Sequence, residues 1–278
     1  MPPARRPLRH RGFLVGAVLV GLFATASLLA PVLAPADPHA VASGGGATLE
    51  GPTVKHPLGT DALGRDVLSR VLWGGRVSLA VGVGVEALVV VLGCAIGLLA
   101  GYFGGPVDAA LMRVTDVVMA FPSLVLAIGL IAVFERPGLD KVFLVLVALG
   151  WTTVARVVRG EVLSLKTRDF VQAAKALGGG HRAIMLRHLL PNAVAPLLVA
   201  ATIGVGGNMV AEAGLSFLGL GAQSPTISWG AMLADGQTFL ATAPWVAVFP
   251  GAALLLAVLG VNLLGDGLRD LLDPRLRT

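Results

Sequence analysis

Residues 77–102 read VSLAVGVGVEALVVVLGCAIGLLAGY, an apolar run interrupted by a single charge, Glu86. A helix rises about 1.5 Å per residue, so about 20 apolar residues cross a hydrocarbon core roughly 30 Å thick. This run is long enough to do so. Working outward, the uncharged segments 13–33, 193–211 and 246–264 read the same way, as do 117–134 and the shorter 142–158, which ends beside Arg156. The expectation is an all-α membrane protein with six transmembrane helices and no separate soluble domain.

Composition agrees. Of 278 residues 55% are hydrophobic and 13% charged, whereas a soluble domain carries about 25% charged residues to cover its surface. That balance excludes a soluble enzyme and a disordered chain. A net charge of +5 would suggest nucleic acid in a soluble protein, but in a membrane protein basic residues mark the cytoplasmic face, so no nucleic-acid partner is expected. Cys94 is the sole cysteine, which rules out an intrachain disulfide. The arginines before residue 13, followed by 21 apolar residues, read as an uncleaved first span, because a signal peptide's apolar region is only about 7–15 residues long.

Orientation follows from the basic residues. With six spans and an inside N-terminus, fifteen of the twenty-one Lys and Arg residues fall on the inner side, including Arg5, Arg6, Arg9, Arg113, Arg269, Arg275, Arg277 and seven from Arg156 to Arg187. The positive-inside bias therefore predicts that both termini are cytoplasmic.

The connector after Arg156 is too long to be a plain loop. Asp169 and Gln172 fit an N-cap and its capping-box partner, and Gly178-Gly179-Gly180 can end a helix over 170–177. Phe170, Ala173, Ala174 and Leu177 share one face of it. A second helical pattern, from Arg182 to Leu190, is expected to stop at Pro191. The pair suits docking into a groove on a partner protein, or lying on anionic lipid headgroups.

Gln172-Ala173-Ala174, Gly178, and Leu189-Leu190-Pro191-Asn192 resemble the EAA loop of binding-protein-dependent ABC importer permeases, with Gln172 where that motif most often has Glu. Three further stretches resemble the C-type subunits of the dipeptide and oligopeptide permeases. They are His56-Pro57-Leu58-Gly59-Thr60-Asp61 with Gly64-Arg65-Asp66 and Gly75-Arg76-Val77-Ser78-Leu79, then Leu215 to Gly221 with Ser228-Trp229-Gly230, and Asn262 to Asp270 with Asp273-Pro274-Arg275.

The resemblance implies a type I ABC importer transmembrane domain over 77–267, with a coupling loop at about 160–191. Residues 1–76 would form the cytoplasmic N-terminus, first helix and outer loop, and 268–278 a cytoplasmic tail. It implies a bacterial or archaeal plasma-membrane protein paired with a second, B-type permease subunit. Two cytoplasmic ATPases and an extracytoplasmic solute-binding protein would complete the importer. This chain has no Gly-x-x-x-x-Gly-Lys motif, so ATP and magnesium would belong to the ATPases and no cofactor to this subunit. The cargo implied is a di- or oligopeptide, with glutathione or a nickel chelate as alternatives in the same family. A self-contained secondary carrier is a further alternative, less well matched because no internal repeat is evident.

ATPase coupling is expected of Phe170, Gln172, Ala173, Ala174, Leu177, Gly178 and Pro191. Glu86 and Glu212 are intramembrane carboxylates, to be read as lining the translocation path or as structural. Pro122 should kink the third span, and Arg113 should pair with Asp116 one turn away. Neither a catalytic constellation nor a metal cluster is apparent.

Overall fold

A computed structural model describes residues 11–41 and 48–272. Expectations for Arg5, Arg6, Arg9 and residues 273–278 lie outside them. The described chain is helical, with one isolated bridge, between Thr60 and Asp66. Five helices are long and apolar enough to cross a membrane, and a bent pair makes up to six.

The first expected span comprises α1 (Arg11–Leu28) and a short α2 (Ala30–Leu33). The second is α3 (Val67–Phe103), 37 residues and so roughly 55 Å long. It starts well before the apolar run because Asp66 caps it, accepting from the Ser69 N–H at 2.7 Å.

The third expected span is corrected. Residues 117–134 do not form one helix; α4 (Gly105–Met119) and α5 (Ser123–Ile131) meet at 85°. Pro122 forbids the continuing hydrogen bond, and the nine residues of α5 reach only about 14 Å.

The fourth is α6 (Leu139–Leu165), followed by α7 (Asp169–Ala176) and a single turn, α8 (His181–Ala183). Pro191 does not end the helical pattern that precedes it, contrary to expectation. Ile184–Leu189 wind as π-helix and run directly into α9 (Leu190–Phe217), so the helical path is continuous from His181 to Phe217. The wider turn relieves the clash between the proline ring and the preceding carbonyl, and absorbs its missing donor. After α10 (Trp229–Gly236), α11 (Trp245–Leu272) forms the last span.

Small residues set the packing, as expected where lipid removes the usual hydrophobic drive between helices. On α3, Gly93, Gly97 and Gly101 lie one turn apart against Val154, Val158 and Val162 of α6. A Cβ on Gly97 would stand 2.5 Å from the Ala155 carbonyl oxygen. The same device joins α1 to α11, where Gly16 faces the backbone at Gly260 and Leu264, and Gly267 faces Phe13.

Candidate functional site

At one end of the bundle, α7 presents an uncovered surface. Its anchor is Val171, fully buried in the core that includes Ile184 and Leu189. Phe170 is 42% exposed and Leu177 89%, and Ala173 is also exposed, while Ala174 is partly covered. The face predicted for docking is thus free.

Asp169 is not the N-cap. Arg168 holds that position without a side-chain cap bond, and Asp169 is the first helical residue, where its charge still suits the helix dipole. Gln172 forms no capping box; its Nε2 donates to the Lys166 carbonyl at 2.7 Å, fixing α7 to the end of α6. The glycine stop is as expected. Gly178 has φ +79°, its N–H donates to the Lys175 carbonyl, and that of Gly179 donates to Ala174. These two bonds are the Schellman arrangement.

The same end ties α7 and α8 to α3. The Tyr102 hydroxyl and His181 Nδ1 are 2.8 Å apart, and the Lys175 ammonium lies 5.8 Å from the Tyr102 ring centre. Arg159 of α6 clasps Asp108 of α4 through two bonds, at 2.5 and 2.6 Å. Asp116 does not pair with Arg113. It accepts instead from Arg156 at 2.6 Å, because α4 runs alongside α6 and offers a partner nearer than its own next turn.

Between α3, the α4–α5 bend, α6 and α9 lies a cavity of about 1200 Å³. Its wall is mainly apolar, including Val89, Phe121, Leu146 and Ile203. The charged lining residues are Glu86, Glu161 and Arg269. Glu86 is 4% exposed. Its Oε2 accepts from Asn208 Nδ2 at 2.9 Å, and its Oε1 has no partner among the described residues. Gly204 makes room for this carboxyl: a Cβ there would stand 2.3 Å from it.

Glu212 does not line the cavity. It is fully buried beside α3, accepting from Ser78 at 3.2 Å and Ser216 at 2.7 Å. Ser78 in turn accepts from the Trp229 N–H, and Ser216 from the Ala222 N–H. Glu212 therefore braces three connected segments. The end of α9 repeats the turn at Gly178, with Gly219 at φ +76° donating to Ser216 and Leu220 donating to Leu215.

The motif from His56 to Asp66 also builds a brace, at the end opposite α7. Asp61 accepts from the Leu63 and Arg65 backbones and from Arg65 Nε at 2.6 Å. Arg65 and Arg70 both reach Asp235 of α10, and Trp245 Nε1 donates to the Thr60 carbonyl. Buried Asp66 binds His56 Nδ1 at 3.0 Å as well as capping α3. Asp66→Ala should cost about 1–2 kcal/mol through the lost cap alone. Cys94 is buried, so the onset of its reaction with a thiol dye on heating checks this; the midpoint should fall by about 2–6 °C.

The predicted coupling residues thus gather on and around α7, except Pro191 at the start of α9. Glu86 and Glu212 belong to separate sites. Sequence reading missed Asn208, Gly204, Val171 and the Tyr102–His181 link. Among the described residues no cluster of His, Cys, Asp and Glu could hold a metal ion.

Residues 93–278 match the family described as binding-protein-dependent transport system inner membrane component. The chain is 39% identical to the dipeptide transport system permease protein DppC of Alkalihalophilus pseudofirmus, over 95% of this chain and 86% of that protein. It is 37% identical to DppC of Haemophilus influenzae, over 97% and 92%. The glutathione transport system permease protein GsiD of Pectobacterium atrosepticum is 43% identical over 82% and 76%.

Proposed function

This chain belongs to the family of inner membrane components of binding-protein-dependent transport systems, and from that premise we propose that it forms half of the pore of an importer for small peptides. It is a multi-pass permease subunit; hydrolysis of ATP belongs to a separate subunit of such transporters, and a solute-binding protein delivers the cargo.

In this reading the other half of the pore is a related B-type permease, and two ATPases, using ATP and magnesium, dock from the cytoplasm. The uncovered face of α7 carries the proposal. An apolar helix surface held out by a buried Val171 and a hydrogen-bonded Gln172 suits a rigid lever fitted into a partner's groove. Closure of the ATPases pushes on α7, whose ties to α3 and α6 pass the motion to the helices around the cavity. Both termini and α7 then face the cytoplasm, and α10 faces outward. Relatives named for dipeptide and for glutathione transport support small peptides as the cargo class, glutathione being itself a tripeptide.

Reconstitution tests this. The purified chain in liposomes should move nothing under a proton or sodium gradient. Uptake of a peptide should require the second permease, both ATPases, the binding protein and ATP on the ATPase side. Gradient-driven uptake by this chain alone would favour a secondary carrier. In a Cys94→Ala background, an impermeant reagent outside intact cells should label Ser224→Cys and not Arg182→Cys, both positions being exposed; the reverse pattern would invert the topology.

A further inference from the structure

A carboxylate far from water keeps its charge at reasonable cost only if a cation or several donors meet it. Among the described residues Glu86 has one donor, Asn208, on one oxygen, and no partner on the other. It lies nine residues, roughly 14 Å, along α3 from Val77, among the apolar residues of a cavity large enough for a small solute. Among the described lining residues, Glu161 and Arg269 offset each other in charge, which leaves Glu86 as the excess.

The second deep carboxylate offers a contrast. Glu212 is held on both oxygens by serines and does not line the cavity. A purely structural glutamate in this bundle is thus fully bonded, and Glu86 is not. Nor is Glu86 there for want of space, since Gly204 is small just where the carboxyl needs room.

We propose that Glu86, steadied by Asn208, is a transient acceptor for the ammonium group of cargo crossing the cavity. This rests on the peptide-importer reading and narrows it, to solutes that carry a free amino group. Binding requires the carboxylate to turn its unpaired Oε1 off Gly204 toward the cavity. A site with one charge and few other acceptors binds an ammonium weakly, as a pore must if the cargo is to leave again.

The test uses the chain assembled with its second permease and ATPases in lipid nanodiscs, without binding protein or ATP, so that the binding protein's own selectivity plays no part. The probes are dialanine and N-acetyl-dialanine at millimolar concentration, read by saturation-transfer NMR. Dialanine should bind the wild-type complex and bind Glu86→Gln at least tenfold more weakly, with Glu86→Asp between the two. N-acetyl-dialanine should be indifferent to residue 86. Gln is nearly isosteric with Glu, and unchanged Cys94 protection confirms that the variant is folded. Equal dialanine binding to wild type and Glu86→Gln, no binding to wild type, or equal sensitivity of the acetylated probe would each overturn the proposal. So would loss of the second permease from the Glu86→Gln complex, which would mean that a basic residue of that subunit is the carboxylate's partner. ATP-driven uptake with the binding protein present is a separate readout. Its failure for peptides in the wild type, with dialanine binding still dependent on Glu86, would sink the peptide reading and leave the ammonium site standing.

Discussion

Gly97→Val should leave less than about a tenth of the chain folded in the membrane. The α3–α6 contact is the seam on which the bundle is built, and Gly97 is at its centre. A Cβ there would meet the Ala155 carbonyl oxygen at 2.5 Å, Val158 Cβ at 2.8 Å and the Arg159 nitrogen at 3.0 Å. Two of those three atoms are backbone, so no rotamer change clears them and the helices must separate. Overpacking commonly costs about 1–3 kcal/mol where side chains can shift, and here they cannot. In lipid no hydrophobic gain offsets the lost packing, because the tails are as apolar as the side chains. Separation would also break the Lys166 bond to the Gly101 carbonyl and strain the Arg159–Asp108 clasp between α6 and α4, the helix that follows α3. Reactivity of Cys94, one turn from Gly97 and buried, measures the outcome: the thiol should be open in the variant and closed in the wild type. Adding Val158→Ala should not rescue it, since the nearest obstacle is a carbonyl. Gly160→Ala, on the same partner helix but with nothing within 4 Å, is the control and should accumulate normally. Normal levels of protected Gly97→Val would mean that α3 and α6 pack more loosely than these distances say.

The spans were legible because crossing lipid imposes a length and a composition that few other structures share. What escaped the sequence depended on partners distant along the chain. The first turns of α3, begun by the Asp66 cap, carry Arg70, a charged residue that an apolar scan passes over; it is buried by Asp61 and by Asp235, 165 positions away. Hydropathy runs unbroken through 117–134, so it located an apolar segment but not its 85° bend. Pro122 signalled a kink, yet its size depends on where α4 lies, and that is fixed by Arg156 and Arg159 of α6. Pro191 misled for the converse reason, since a local rule ends a helix there and the π-helical turns before it let the helix go on. In the site, Gly178 was readable because its φ is a local matter. Glu86 stood out only as the lone acid in 77–102. Its significance came from what folding placed around it: a donor 122 positions on, a glycine against the carboxyl, and a cavity.

Phe170→Asp combined with Leu177→Asp should abolish ATP-driven uptake, to below about a hundredth of wild type, while the permease still folds and pairs. Leu177 is 89% exposed, so its replacement removes little internal packing, and Phe170, 42% exposed, gives up only the covered part of its ring contacts. Surface substitutions of that sort usually change stability by less than about 0.5 kcal/mol. Their effect arises on docking. If α7 inserts into a groove, each new carboxylate must be desolvated against an apolar wall, at roughly 2 kcal/mol or more apiece, and two such costs together exceed a hundredfold in affinity. Cys94 protection and co-purification of the second permease should match wild type, while ATPase subunits should be lost from the complex. Val171→Asp separates docking from folding. Val171 is fully buried, about 100° round the same short helix from Phe170, so that change should unfold the α7–α8 segment and weaken the permease itself. If the double variant keeps its ATPases and its uptake, the free face of α7 is not where the energy enters, and the basic residues around it would then have to be read as a membrane-surface contact instead.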